Sequence, residues 1–191
     1  WLIAGEPSGD LIGARLIVAL RERSGGNVKI AGIGGEAMLE EGLESLFPIS
    51  EIAVMGLIEI IPRIPLIKRR MRETISRIEF DRPDIVVSID VPGFCYDIWK
   101  GLRGSDIPLV HYVAPTVWAW RPDRAKKFAA ELDYLMTLLP FEPPYFEKEG
   151  LDTTFVGHPV LEGNAGNGAG TAFRAAHDIN PDQTVVSVLP G

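Results

Sequence analysis

Cysteine is almost absent. Cys95 stands alone among 191 residues, which excludes an internal disulfide and fits a reducing compartment. Histidine is nearly as scarce, with three in all. No set of His, Cys and acidic residues has metal-ligand spacing, so neither a metal nor a cofactor is expected. Uncharged runs fall far short of the roughly 20 apolar residues that a membrane span needs, and no signal peptide is visible. Positive charge is in deficit: 19 Lys and Arg against 26 Asp and Glu leave a net charge of −7, whereas a general nucleic-acid surface needs a basic face. There is no internal repeat of solenoid period and no GxGxxG fingerprint. What remains is 46% hydrophobic and 24% charged, ordinary for a globular protein with one well-buried domain and part of a second.

Short apolar β-type runs alternate with helical patterns. Strands are expected at 2–4, 27–33, 84–89, 108–113, 134–139 and 153–156, with helices at 10–23, 94–102, 122–131 and 142–149. In the first helix Leu11, Ile12, Leu16, Ile17 and Leu20 make an inner face. Near-continuous apolar strands separated by helices indicate α/β class: a Rossmann-like, doubly wound parallel sheet covered on both faces. Residues 1–161 form this domain. Glu162 to Thr171 holds four glycines and two asparagines in ten residues and reads as a linker. A short helix at 172–177 and a strand at 184–189 then read as the start of a second α/β domain. The chain opens without Met on a strand end and stops on another strand entering a glycine turn, so a piece of a longer protein is expected.

Four segments carry candidate chemistry. In Gly5-Glu-Pro-Ser-Gly-Asp10, the glycines admit close backbone approach and Ser8 or Asp10 can cap the next helix. The loop either seats a polar or anionic substrate group or is a plain strand-to-helix turn. Asp90 sits at the carboxyl end of a buried strand, where open α/β sheets bind ligands; it either takes a proton from a substrate hydroxyl or caps a helix. His111-Tyr-Val-Ala-Pro-Thr-Val-Trp-Ala-Trp-Arg121 makes a rigid aromatic loop. Its indole faces suit sugars and Arg121 suits a phosphate, the alternative being a packed loop with a cation–π pair. Finally, Met55, Leu57, Ile58, Ile61, Ile64 and Leu66 precede Lys68, Arg69, Arg70 and Arg72. That is either an interfacial element against anionic lipid or a buried helix followed by an exposed basic one. Pro62 and Pro65 argue against one unbroken helix there.

Taken together, Ala4-Gly-Glu-Pro-Ser-Gly-Asp10, Ala53-Val-Met-Gly56, Ser88-Ile-Asp-Val-Pro92, the 111–121 block, Leu139-Pro-Phe-Glu142, Val156-Gly-His158 and Leu189-Pro-Gly191 closely resemble the lipid-A-disaccharide synthase family. They occur in that family's order along the whole chain. The resemblance implies the N-terminal half of a two-Rossmann-domain (GT-B) glycosyltransferase acting in lipid A biosynthesis. Its donor would be UDP-2,3-diacylglucosamine and its acceptor 2,3-diacylglucosamine 1-phosphate, giving a β-1,6 disaccharide and UDP. It implies a peripheral place on the cytoplasmic face of the inner membrane, with most of the UDP site in the other half, so that this chain alone is expected not to turn over. Homo-oligomerisation is left open.

On this resemblance Asp90 is the catalytic base. Gly5, Glu6, Ser8, Gly9, Asp10, Tyr112, Trp118, Trp120, Arg121 and His158 line the substrate site, and the 55–72 residues named above meet the membrane. One departure stands out: family members often carry a second acid three positions after the base, where this chain has Gly93. Two other readings remain, another UDP-sugar enzyme on the same architecture and a non-catalytic anionic-lipid-binding module.

Overall fold

Strands such as Leu2-Ile-Ala4 and Val86-Val-Ser-Ile89 lack polar alternation, so both of their faces must be covered. A computed structural model describes residues 1–53, 57–162 and 167–189, and in it both faces are. The order is β1 (Leu2–Ala4), α1 (Pro7–Ser24), β2 (Gly32–Ile33), α2 (Glu36–Glu40), α3 (Leu57–Asp81), β3 (Val86–Ile89), α4 (Pro92–Leu102), β4 (Leu109–Tyr112), α5 (Asp123–Ala129), β5 (Tyr134–Thr137), α6 (Pro143–Glu147), β6 (Asp152–Phe155) and α7 (Gly170–Ala176). The strands form one sheet in the order β2-β1-β3-β4-β5-β6, every pair parallel. Ile3 and Val86 point to the face covered by Ile78 of α3, Ile98 and Trp99 of α4, Phe128 of α5 and Phe146 of α6. Leu2, Ala4, Val87 and Ile89 point the other way, onto Ile17 of α1 and Met38 of α2. The expected class, a doubly wound parallel α/β sheet, is the one observed.

The strand order fixes where a ligand can sit. The chain leaves β1 in one direction for β2, and from β3 onward it moves in the other. The crevice at such a reversal lies at the carboxyl ends of the two central strands, here β1 and β3.

Several elements differ from expectation. Helix α1 starts at Pro7 and turns Gly9, Gly13 and Ile17 inward, leaving Leu11 and Leu20 exposed. The glycines win because the helix lies so close to its neighbours: a Cβ on Gly13 would fall 2.4 Å from Met38 Sδ, and one on Gly9 3.1 Å from the Ile89 carbonyl. β2 shrinks to two residues, and the unforeseen α2 follows it. Helix α3 runs unbroken through Pro62 and Pro65. Each proline frees one carbonyl, but both are exposed and water can take the freed groups. Packing of Ile67, Met71, Ile75 and Ile78 holds the rest of the helix.

The chain divides into two compact units, Trp1–Gly157 and His158–Gly191. The second holds a 3₁₀ turn at Pro159–Glu162 and α7, after which Arg174 Nη1 donates to the carbonyls of Asn180 and Gln183. Positions 163–166 of the glycine-rich stretch lie outside the described residues. Residues 184–189 are not a strand, because no neighbouring strand among the described residues offers them a ladder partner.

Asp10 ties α1 to α2. It is 6% exposed; Oδ1 accepts the Gly35 and Met38 N–H groups at 2.7 and 3.1 Å, and Oδ2 accepts Ala37 N–H at 2.9 Å. These are donors at the start of α2, which have no partner within the helix. Asp10→Ala is expected to cost about 2–4 kcal/mol in urea unfolding, with Asp10→Asn, which keeps one accepting oxygen, losing less.

Candidate active site

The crevice between β1 and β3 is bounded by the Gly5–Ser8 loop on one side and by Asp90-Val91 on the other. Asp90 and Val91 both adopt left-handed backbone, φ 55° and 46°, which is costly, most of all for a β-branched residue. Neighbours hold them there. The Asp90 N–H donates to the Tyr112 carbonyl at 2.9 Å, the Cys95 thiol lies 3.7 Å from the Asp90 carbonyl, and Asp90 Oδ1 accepts Val91 N–H at 2.8 Å. The turn drives the Val91 side chain against Gly5, where a Cβ would lie 2.8 Å from Val91 Cγ2. Gly5 is therefore required by packing within the crevice wall.

The Asp90 side chain is half-buried. Among the described residues its second oxygen, Oδ2, has one hydrogen-bond partner, the exposed Ser8 hydroxyl at 3.4 Å. This is a loose bond, leaving an acceptor at the rim. Glu6 stands nearby: burial first, and the negative charge of Asp90 second, raise its carboxyl above the ordinary range. Two carboxylates thus share the crevice, and the second comes from the β1 loop.

Around this rim the expected residues separate by role. Glu6 and Ser8 flank Asp90. Gly9 is buried against β3, and Asp10 is removed from the cleft by its three amide bonds, so it neither lines the site nor caps its own helix. Ser8 makes no cap bond either; α1 has no side-chain cap. Tyr112 is half-buried at the end of β4 and contributes its carbonyl. Trp118 turns edge-on to Phe141, ring centroids 5.3 Å apart. Trp120, 70% exposed, and Arg121, left-handed at φ 56°, instead line a cavity of about 370 Å³ with Pro92, Gly93, Arg124 and Lys127. His158 belongs to the second unit, where Nδ1 accepts Val160 N–H at 3.1 Å.

Beneath the rim lies a buried polar group that the sequence did not single out. Ser88 Oγ accepts Trp99 Nε1–H at 3.1 Å and lies 2.8 Å from His111 Nδ1. Burial pushes His111 down to about 3, so the imidazole is neutral, wedged edge-on to Trp99 and Phe128 at 4.8 and 5.6 Å. The signal available was a serine inside an otherwise apolar strand, facing a histidine one strand away.

The 55–72 group is also divided. Met55 lies outside the described residues, and Leu57 and Ile58 are placed only as helix. Ile61 and Ile64 are 66% and 40% exposed, and Lys68, Arg69 and Arg72 are exposed with them. Arg70 is the correction. Its guanidinium grips Glu51 bidentately at 2.6 and 2.9 Å, bonds Glu73, and lies 4.7 Å from the Phe47 ring centre. Three residues beyond Ile67, it sits on the inward stripe of α3. Among the described residues no group of three or more His, Cys, Asp or Glu is placed to hold a metal, and no helix is long and apolar enough to cross a membrane.

A model of the lipid-A-disaccharide synthetase family matches residues 1–191. The chain belongs to that family. It is 56% identical over 193 residues to a lipid-A-disaccharide synthase of Rhodospirillum centenum, covering all of this chain and 48% of that protein. It is 58% identical to one of Paramagnetospirillum magneticum, covering all of this chain and 50% of that protein. The chain thus spans about half the length of the curated relatives it matches. A solved UDP-GlcNAc 2-epimerase from Neisseria meningitidis, bound to UDP-GlcNAc, shares the fold at a TM-score of 0.55 and 11% identity, over 84% of this chain and 46% of that one. The family is one of glycosyltransferases.

The Glu6 and Asp90 pair yields a titration prediction. In an Asp90→Asn variant the Glu6 carboxyl, followed by carbon-13 NMR, is expected to titrate at lower pH than in the parent while staying above the ordinary range, since burial is the larger cause. The folded value is raised, so the stability linked to Glu6 is fully present below the ordinary carboxylate range and is lost as pH rises through the raised value.

Proposed function

We propose that this chain supplies the acceptor side and the general base of an inverting glycosyl transfer. The donor is UDP-2,3-diacylglucosamine and the acceptor 2,3-diacylglucosamine 1-phosphate. The observation that carries this reading is an aspartate held by strained backbone at the sheet's reversal point, with one carboxylate oxygen open, in a chain of this family. An acceptor hydroxyl is too weak an acid to ionise unaided near neutral pH. As its oxygen attacks the anomeric carbon from the face opposite UDP, the new C–O bond forms and the bond to UDP breaks with its electron pair leaving on the diphosphate. The hydroxyl proton passes to Asp90 Oδ2. Attack from the opposite face turns an α-linked donor into a β-glycoside. Ser8 steadies the same oxygen, and Glu6 keeps further negative charge near the proton's destination. The diphosphate's charge needs cations or helix-end amides, and the resemblance assigns most of these to the other half of the enzyme.

A protein of the relatives' full length that carries this chain provides the test. Asp90→Asn is expected to lower kcat by about 10²–10⁴-fold with the KM of either substrate little changed. Unchanged turnover, or a preference for unacylated over diacylated UDP-glucosamine, would refute the proposal.

The acyl chains place both substrates at a membrane, and the outward face of α3 supports contact with its cytoplasmic surface. Ile61, Ile64, Lys68 and Arg72 follow one another at helical spacing on that face, an apolar patch grading into cations, which suits an anionic bilayer. Replacing Lys68, Arg69 and Arg72 together by Gln is expected to reduce sedimentation with phosphatidylglycerol vesicles severalfold. Arg70→Gln should leave vesicle binding in place and lower thermal stability, because that cation is already engaged by Glu51 and Glu73.

A further inference from the structure

The cavity that opens at Pro92 and Gly93, two residues beyond Asp90 in the chain, is bounded by three cations and no carboxylate: Arg121, Arg124 and Lys127 line it, with Gly93, Tyr96 and Trp120 among the other walls. In a chain of net charge −7 such a concentration on one concave surface calls for an anion. The groups are varied in the way an oxyanion uses. Arg121 and Arg124 offer planar forks, Lys127 a mobile ammonium and Tyr96 a phenol. Helix α4 opens here at Pro92, which has no N–H, and with no side-chain cap bond; the Phe94 and Cys95 N–H groups both donate to the Val91 carbonyl at 3.2 Å, so the Gly93 N–H is the first-turn amide left for a ligand. Gly93 adds no bulk; a Cβ there would meet nothing within 4 Å. Arg124 is braced, its guanidinium 6.0 Å from the Phe128 ring centre.

One opposing charge is close. Asp123 lies 3.8 Å from Arg121 and 3.9 Å from Lys127. Both pairs are long and more than half exposed, a class of ion pair with little net worth. Three cations against one carboxylate leave an excess of two positive charges. A phosphate monoester carries about −1.5 to −2 at neutral pH, whereas a diester or carboxylate carries one.

We propose that this cavity binds a phosphate monoester, and, on the reading given under Proposed function, that the monoester is the 1-phosphate of the acceptor sugar. Asp90 and Gly93 are three residues apart on one stretch of backbone. A single pyranose ring could therefore set its nucleophilic hydroxyl at the carboxylate and its phosphate among the cations. The cavity would act as a positioning device. Binding energy drawn from the phosphate would hold the hydroxyl in line, and acceptors lacking phosphate would be excluded.

The same chemistry could come from a membrane headgroup, so the test separates the two sources. Glucosamine 1-phosphate, glucosamine and phosphatidylglycerol vesicles are titrated against the parent chain, against Lys127→Glu, an exposed change that spares the packing, and against Arg124→Gln with Lys127→Gln. The expected result is saturable binding of glucosamine 1-phosphate, weakened at least tenfold by either variant, with glucosamine binding more weakly than its phosphate and vesicle binding unaltered. No saturable binding of glucosamine 1-phosphate to the parent, equal affinity for glucosamine, or a loss confined to vesicles would overturn the proposal. The outcome is separable from that of the catalytic reading. Turnover that survives Asp90→Asn refutes the base without touching this site, and intact sugar-phosphate binding in both variants refutes this site without touching the base.

Discussion

The site depends on how β3 leaves the sheet. A chain emerging from a parallel strand would ordinarily run on into its helix; here Asp90 and Val91 reverse into left-handed backbone first. Each such residue costs on the order of 1–3 kcal/mol, and the conformation persists only where surroundings leave no alternative. β4 supplies the Tyr112 carbonyl, α4 supplies the Cys95 thiol, and the loop after β1 supplies an absence, the missing Cβ of Gly5. Three separate elements thus converge on two residues. The result is a carboxylate presented outward from a strand whose other side chains are all buried, and a helix that starts immediately afterwards, its Phe94 and Cys95 amides tied to the Val91 carbonyl.

Polar burial beneath the rim follows the same logic. Ser88 sits in the interior of β3 and would be an unsatisfied hydroxyl if left alone. Trp99 and His111 meet it from α4 and β4, so one oxygen links the three elements that frame Asp90. Keeping His111 neutral suits this position, since an imidazolium there would be a buried charge with no carboxylate to offset it. The network ties together the layer on which Asp90 stands.

Much of this was legible in residue order, and the failures have a common physical form. Alternation of apolar runs with helical periods was enough for the sheet class, and Asp90 could be placed at the sheet's carboxyl rim because a charged residue ending an apolar strand is not buried with it. Asp10 was misread because its partners lie in α2, a five-residue helix too short to announce itself by periodicity. A still longer separation in sequence hid the reason for Gly5, whose clearance is demanded by Val91. In α1 the leucines suggested the inner face, but close approach to the sheet rewarded glycine. Hydrophobicity ranks side chains and says nothing about how much room the neighbouring element leaves. Arg70 was taken for a surface cation because a run of basic residues looks uniform in one dimension; a helical turn of 3.6 residues puts Lys68 and Arg72 outside and Arg70 inside.

Charge is distributed along the rim with a direction. The β1 and β3 end carries Glu6 and Asp90; the β4 end, beyond Gly93, carries Arg121, Arg124 and Lys127. A carboxylate is a poorer base the nearer a cation stands, and an anionic ligand binds less well the nearer a carboxylate stands. Proton acceptance and anion capture therefore work against each other unless space separates them while one ligand can still reach both. The intervening residues, Val91, Pro92 and Gly93, provide such a spacing. Val91 fills the crevice wall, Pro92 fixes the start of the helix, and Gly93 adds no bulk, a Cβ there meeting nothing within 4 Å. An acidic side chain at position 93 would narrow that separation by putting negative charge at the cavity's edge. Glycine at position 93 leaves that edge without a negative charge.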